Sequence, residues 1–185
     1  MTTVTFRPLR RDDAGQLRDW LNQPHEYAWW GVYAAPDGLG GAGAHAATLD
    51  AVLAEYGDAI AGRGATHCFV ILVEDQPVGF IQWYRLADDP DYAAAIGEPE
   101  GAGMDLLIGA PAAVGRGLGS QVIDRFVTDV IAPAGITRVF TGPDVHNRRS
   151  VRAFMNAGFV RVRELHVPGE LAPEQLLVRT ENHSD

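Results

Sequence analysis

Three glycines at alternate positions constrain this chain more than any other feature of its sequence. Gly115, Gly117 and Gly119 follow an apolar strand predicted over residues 104–109 and precede a helix that runs to about residue 130. Residues without a Cβ let neighbouring backbone N–H groups converge, and the first turn of a helix adds positive potential. The pattern therefore predicts a turn that binds a phosphate or pyrophosphate. The alternative is a tight strand-to-helix turn that is merely rich in glycine.

Two well-known phosphate-binding patterns do not fit this turn. The sequence contains no Gly-Lys-Ser or Gly-Lys-Thr, so the turn is not a Walker loop. Its Gly-x-Gly-x-Gly spacing differs from the Gly-x-Gly-x-x-Gly of dinucleotide-binding folds. Asp144, the nearest acid after the next strand, follows a Gly-Pro pair and is poorly placed for a ribose. A phosphate ligand is therefore expected in a fold of another kind.

The hydrophobic periodicity predicts a mixed α/β chain built on one sheet. Strands are predicted at residues 4–9, 68–73, 78–86, 104–109, 136–141, 159–167 and 176–179. Helices are predicted near residues 12–21, 45–60, 113–130 and 147–158, and loops at residues 31–43 and 88–103. The sequence shows no repeat, no low-complexity linker and no domain boundary, so we expect a single domain over residues 1–185.

The charge distribution favours some partners over others. The chain carries 24 acidic and 15 basic side chains, for a formal charge of −9, and every base is an arginine. Residues 1–105 hold 16 acids and 6 bases, whereas residues 106–163 hold 3 acids and 8 bases. An acidic half and a basic half favour a cationic small molecule and an anionic one, and they disfavour nucleic acid or a membrane surface as partners. Solvated faces without a ligand are the alternative.

Cysteine content and hydropathy bear on location. Cys68 is the one cysteine, so it cannot form an internal disulfide. No apolar stretch reaches the roughly 18 residues that span a bilayer, and no signal-like segment precedes Val4. These features predict a cytoplasmic protein. The histidines show no metal-ligand spacing, so no metal is expected.

The glycine turn and a second segment resemble the GNAT superfamily of N-acetyltransferases, which bind acetyl-CoA. The family signature is Gln/Arg-x-x-Gly-x-Gly/Ala after the fourth strand, and residues 114–119, Val-Gly-Arg-Gly-Leu-Gly, match it except at Val114. Residues 147–159 are similar to the Asn-led helix of the family, which ends in Ala-Gly-Phe. The resemblance implies a GNAT fold, with a central mixed, mostly antiparallel sheet of about six to seven strands flanked by helices.

A closer resemblance, to the aminoglycoside 6′-N-acetyltransferases, lies in the N-terminal half. The matching segments are Trp-Leu-Asn at residues 20–22, Trp-Trp-Gly at 29–31 and Gly-x-x-Gln-x-Tyr at 79–84, together with Gly-Met-Asp at 103–105, where those enzymes have Gly-Ile-Asp. This resemblance implies transfer of an acetyl group from acetyl-CoA to the 6′-amine of an aminoglycoside. The acyltransferases that acetylate hydroxylysine in siderophore synthesis share the tryptophan-rich N-terminal segment.

The resemblance also implies roles for individual residues. A primary ammonium must lose a proton before it attacks a thioester, and Asp105 is the leading candidate to bind it and accept that proton, with a purely structural acid as the alternative. The acceptor is expected to contact Asp91, Trp30, Gln82 and Tyr84. Acetyl-CoA is expected to contact a backbone N–H near Leu107, the glycine turn and an asparagine: Leu107, Val114, Gly115, Arg116, Gly117, Leu118, Gly119, Ser120 and Asn147. Arg116 has the alternative of pointing into solvent, and Asn147 that of only capping its helix.

One departure from the family keeps other functions open. Many members have a tyrosine on the last helix that protonates the leaving thiolate, and this chain has Phe154 there. The alternatives are a GNAT enzyme acting on hydroxylysine, a polyamine or a protein N-terminus, and an acyl-CoA-binding module without catalysis. Phe154 favours the module, whereas Asp105 and the intact turn count against it. The acids between Asp88 and Asp105 favour a polycation, and we expect a monomer or a homodimer.

Overall fold

A seven-stranded mixed sheet organises the chain. The computed structural model describes residues 2–27, 29–30, 46–168 and 172–181. In chain order its elements are β1 (Val4–Pro8), α1 (Ala14–Leu21), α2 (Pro24–Tyr27), α3 (Leu49–Ile60), β2 (His67–Val73), β3 (Gln76–Arg85), α4 (Pro90–Ile96), β4 (Ala102–Leu107), α5 (Leu118–Phe126), β5 (Arg138–Thr141), α6 (Arg148–Asn156), β6 (Val160–Leu165) and β7 (Glu174–Thr180). The strand order is β1-β2-β3-β4-β5-β7-β6. The mixed sheet with its flanking helices confirms the predicted fold.

Strand direction is mixed across this sheet. β1 runs antiparallel to β2, and β7 runs antiparallel to both β5 and β6. β4 and β5 are parallel. β1 is an edge strand, as predicted from the proline that ends it, because proline cannot donate to a ladder.

The chain groups into two compact units, each with its own core. The first contains residues up to Gln82 and residues 106–114, and the second contains residues 83–105, 115–168 and 172–181. The first core includes Leu17, Trp20 and Leu21 of α1, whose spacing of three and four residues places them on one face of the helix. The second core is built on Leu86, Ala93, Ile96, Phe140 and Leu176.

The segment predicted as an acidic loop contains a helix. The loop prediction for residues 88–103 is wrong over α4, and the reason is local. The Asp89 carboxylate accepts a hydrogen bond from the Tyr92 N–H at 3.1 Å, and Pro90 occupies the first helical position, where its missing N–H has no cost. Gly97, with a φ of 73°, ends the helix in the left-handed conformation.

Two other helices differ from their predicted bounds. α3 begins at Leu49 because the Thr48 hydroxyl accepts the Ala51 N–H at 3.1 Å, so the predicted start near residue 45 is too early. The loop predicted at residues 31–43 lies outside the described part of the chain. α5 ends at Phe126 and passes into a π-helical turn, Val127–Ile131, whose first and last residues are buried. Within the described ranges, no helix is both long and apolar enough to cross a membrane.

Candidate active site

Asp105 lies on β4 just beyond the point where this strand stops pairing with β5. The two parallel strands pair at Ala102 with Val139 and at Gly103 with Phe140, and Asp105 follows two residues later. Its side chain is half-buried. Asp105 therefore lies past the last residue pair between β4 and β5, where the two parallel strands no longer share a ladder.

Tyr84 and Tyr92 surround this part of β4 with aromatic rings. The Tyr84 ring lies so close to Gly103 that a side chain there would overlap it, and the two tyrosine rings meet edge to face with centroids 6.4 Å apart. Burial, together with the charge of Asp105, raises the pKa of the Tyr84 phenol well above its usual value. Burial and Glu174 do the same to the pKa of Tyr92. Both phenols are therefore protonated at neutral pH, and the structure brings the predicted residues Asp105 and Tyr84 together.

Glu174 also belongs to this group, and no sequence motif marks it. The Tyr92 hydroxyl donates to Glu174 Oε2 at 3.4 Å. Gly142 leaves the space that this contact occupies, since a Cβ at that position would overlap the Glu174 carboxylate and lie 2.9 Å from the Tyr92 hydroxyl. Tyr92 and Glu174 are 82 residues apart, so no local pattern marks them as partners.

The glycine turn has the open geometry that a phosphate requires. Gly115 and Gly117 have φ values of +80° and +73°, and a Cβ built on either would meet no atom within 4 Å. Gly117 is the N-cap of α5, and the Ser120 hydroxyl donates to the Gly117 carbonyl at 3.0 Å. Gly115, Arg116 and Gly117 are exposed. Unhindered backbone at a helix N-terminus fits a pyrophosphate, and bulky side chains here would obstruct its approach.

α6 packs beside this turn and fixes two predicted residues. The Gly119 backbone lies against Ala153, whose Cβ is 3.3 Å from the Cβ that an alanine would place there. Asn147 caps α6, because its Oδ1 accepts the Ser150 N–H at 3.1 Å. Phe154 is buried and packs edge to face on Phe159, with ring centroids 5.1 Å apart. Phe154 is thus part of the core and carries no proton that a leaving thiolate could take.

Two further acceptor candidates, Trp30 and Gln82, lie in the first unit. The Trp30 indole N–H donates to the Tyr56 hydroxyl at 3.2 Å, and the ring meets Phe80 edge to face at 5.8 Å. The Cys68 thiol lies 3.9 Å from the Gln82 side-chain oxygen. In the same unit Leu107 is buried and Val114 is half-buried. Trp30 and Gln82 therefore have packing partners of their own, and their acceptor role stays a prediction.

Some acids near α4 are engaged within the fold. Glu98 forms two hydrogen bonds with the Arg138 guanidinium, at 2.7 and 2.9 Å, and this contact lowers the pKa of Glu98. The Asp89 carboxylate caps α4. Asp88, Asp91 and Glu100 are exposed. The charge left to attract a cation is thus smaller than the acid count of this segment. Across the part of the chain that the structure describes, no three acids, cysteines or histidines form a metal-binding group.

Comparison with known proteins gives relatives of matching length. An aminoglycoside N(6′)-acetyltransferase type 1 of Klebsiella pneumoniae is 25% identical over 179 residues, which cover 96% of this chain and 83% of the relative. The structure of AAC(6′)-Ib in complex with ribostamycin and coenzyme A is 25% identical and superposes with a TM-score of 0.75, over 96% of this chain and 93% of that one. A spermidine N-acetyltransferase from Vibrio cholerae, in complex with CoA and spermine, shares the fold at 17% identity and a TM-score of 0.69, with 96% and 95% of the two chains covered.

The family itself follows from a match over most of the sequence. A profile of the acetyltransferase (GNAT) domain matches residues 10–167. The matched region holds β4 with Asp105, the open glycine turn and α6 with its asparagine cap. The chain belongs to the GNAT acetyltransferase family.

Proposed function

We propose that this protein transfers the acetyl group of acetyl-CoA to the 6′-amine of an aminoglycoside. The observation that carries the proposal is the position of Asp105, half-buried beside Tyr84 and two residues beyond the last pair between β4 and β5. A half-buried carboxylate beside a neutral phenol is suited to bind an ammonium group and to accept its proton. The relatives named aminoglycoside N(6′)-acetyltransferase, at 25% identity over 96% of the chain, support the choice of acceptor.

Residues of the turn and of α6 would hold the donor. The backbone N–H groups of residues 114–120 would bind the pyrophosphate, and the exposed Arg116 guanidinium adds positive charge there. The Asn147 side chain, whose Oδ1 caps α6, has a separate amide donor for the pantetheine arm. A backbone N–H near Leu107 would polarise the thioester carbonyl. When bound, acetyl-CoA supplies an activated acetyl group, and transfer forms a C–N bond while the C–S bond breaks.

Proton movement would begin at Asp105. Its carboxylate takes a proton from the acceptor ammonium, and the neutral nitrogen then attacks. The thiolate needs a proton, and Phe154 has none to give, so water or the ammonium product supplies it. Tyr84 and Tyr92 stay neutral because burial and nearby carboxylates raise their pKa values, and neutral hydroxyls are able to orient an amine or a sugar.

The negative charge near Asp105 also favours a cationic acceptor. Asp105 and Glu174 contribute negative charge around the two tyrosines, and the exposed Asp91 on the first turn of α4 adds to it.

We place the reaction in the cytoplasm, where acetyl-CoA is formed and where the buried Cys68 thiol stays reduced. We also propose that residues 1–185 act as one domain, as a monomer or a homodimer.

Asp105→Asn tests the proposal by keeping the shape of the side chain while removing its charge and basicity. Thiol release from acetyl-CoA is measured with kanamycin, spermidine and hydroxylysine as acceptors. We expect turnover with kanamycin, a fall in kcat of about 10²-fold in Asp105→Asn, and an unchanged rise in melting temperature with coenzyme A.

Asp91→Asn is the comparison variant, because an exposed acid that only attracts the acceptor affects KM more than kcat. Normal kcat in Asp105→Asn would overturn its catalytic role. Turnover confined to spermidine or hydroxylysine would replace the aminoglycoside as acceptor, and tight coenzyme A binding without turnover of any amine would favour the non-catalytic module.

A further inference from the structure

The backbone that follows β4 is held by unusually close contacts within the first unit. A Cβ on Gly79 would overlap the Leu107 carbonyl oxygen and come within 3.2 Å of Ile108 Cα. A Cβ on Gly109 would overlap the Trp20 indole. The Ala110 N–H donates to the Val78 carbonyl at 2.9 Å. These contacts fix where the backbone at residues 107–110 lies.

The peptide between Ile108 and Gly109 needs a defined orientation as well as a defined position. A peptide plane next to glycine rotates with little steric resistance, because glycine populates regions of φ and ψ that other residues avoid. The ring that a Cβ on Gly109 would meet, the Trp20 indole, is apolar and does not orient a neighbouring carbonyl. A group that hydrogen-bonds the Ile108 carbonyl would hold this peptide in a single orientation.

His25 supplies that group. Its Nε2 lies 3.0 Å from the Ile108 carbonyl oxygen, across 83 residues of sequence. A carbonyl only accepts, so Nε2 carries the hydrogen and donates it. The Glu26 carboxylate is farther from the same nitrogen, at 3.7 Å, and 22% of the His25 side chain is exposed. Because α2 places His25 against residue 108, this imidazole directs the carbonyl.

We propose that His25 is a positioning residue for acetyl transfer, which acts by holding the Ile108–Gly109 peptide. The inference rests on the proposed function, because this peptide connects Leu107, whose neighbourhood would polarise the thioester, to the residues that lead into the glycine turn. A backbone donor stabilises a developing oxyanion only when it is aimed in advance. Displacements of about 1 Å from a productive geometry cost up to about 10²-fold in rate.

His25→Gln and His25→Met form a matched pair for the test. The two side chains are similar in size, but only glutamine carries a nitrogen that donates near the position of Nε2. We expect kcat with kanamycin to fall about 10-fold in His25→Met and to stay within about threefold of wild type in His25→Gln. Asn22→Leu is the control, since Asn22 also makes side-chain hydrogen bonds to the backbone in this unit, to the N–H and carbonyl of Ala47 at 2.8 and 2.9 Å. Asn22→Leu should have a lower melting temperature than wild type and a kcat within about twofold of wild type.

A readout without substrate makes the test independent of activity. The Gly109 amide belongs to the same peptide as the Ile108 carbonyl, so its ¹⁵N–¹H resonance in the ligand-free protein should shift in His25→Met more than in His25→Gln or Asn22→Leu. If His25→Met does not fold, His25→Asn replaces it, because its shorter amide does not reach the carbonyl. An active wild type with unchanged kcat in the folded donor-less variant overturns the positioning role alone, whereas a wild type inactive with every amine overturns the proposed function.

Discussion

Two pairs of glycines near the candidate site differ in what surrounds them. Gly79 and Gly109 lie where a side chain would overlap the Leu107 carbonyl and the Trp20 indole. Gly115 and Gly117 have positive φ values and no atom within 4 Å of the position that a Cβ would take. The first pair is required by neighbours that the protein itself provides. The second is required by the backbone conformation and faces open space.

This difference separates folding from binding along one short stretch of chain. The Leu107 carbonyl and the Trp20 indole already occupy the space beside Gly79 and Gly109. These two glycines are therefore needed for packing before any ligand is present. The space around the glycine turn has no such occupant among the described residues, which is the arrangement that a ligand approaching the backbone requires. Substitutions at the two pairs should therefore fail in different assays.

Gly109→Ala should give the largest effect, on stability. The new methyl group would overlap the Trp20 indole, and overpacking of a rigid core costs about 3 kcal/mol. For a domain of this size the melting temperature should fall by about 10 °C, measured by calorimetry. A melting temperature within about 2 °C of wild type would contradict the close packing at Gly109.

Gly117→Val should fold but lose its response to coenzyme A. Binding at 100 times Kd stabilises a native protein by about 2.7 kcal/mol, and a branched side chain at the turn would obstruct the backbone that provides this binding. Gly135→Val is the matched control, because Gly135 also has a positive φ, +79°, and no atom within 4 Å of a Cβ. Both variants should suffer similar backbone strain, but only Gly135→Val should melt at higher temperature as coenzyme A is added. A retained response in Gly117→Val would remove the ligand from the turn.

Gly57→Ala should give the smallest effect, and in the opposite direction. Gly57 lies inside α3 without a positive φ, and a Cβ there meets nothing within 4 Å. Alanine is preferred to glycine in a helix interior by about 0.5–1 kcal/mol, so the melting temperature should rise by about 2 °C. Destabilisation would show that open space around a glycine is a poor guide to tolerance in this chain.

The elements that the sequence predicts correctly are marked by residues that lie close together along the chain. The glycine turn, the Asn147 cap and the buried strand that follows Cys68 depend on residues within a few positions of one another. α4 lies in a segment whose acidic composition predicts a loop, although Asp89, Pro90 and Gly97 form the capping pattern of a short helix at its two ends.

Contacts distant in sequence explain most of the remainder. His25 meets Ile108 across 83 residues, and Tyr92 meets Glu174 across 82. Neither pair leaves a periodic or spaced pattern, because a hydrogen bond between distant segments needs only one suitable residue on each side. The environment of Trp30 is of the same kind, since its packing on Phe80 and its hydrogen bond to Tyr56 depend on how two segments meet.

The raised pKa values of Tyr84 and Tyr92 bear on the selectivity of the chemistry near Asp105. A phenol is readily acylated by a thioester only as phenolate, and burial beside carboxylates keeps both hydroxyls in the neutral form. The chain also has no lysine, so its side chains include no primary amine to compete for an acyl group. A reactive donor therefore meets no competing nucleophile in these two rings or in the arginines, and the chain lacks lysine, the amine-bearing side chain that a thioester would otherwise acetylate.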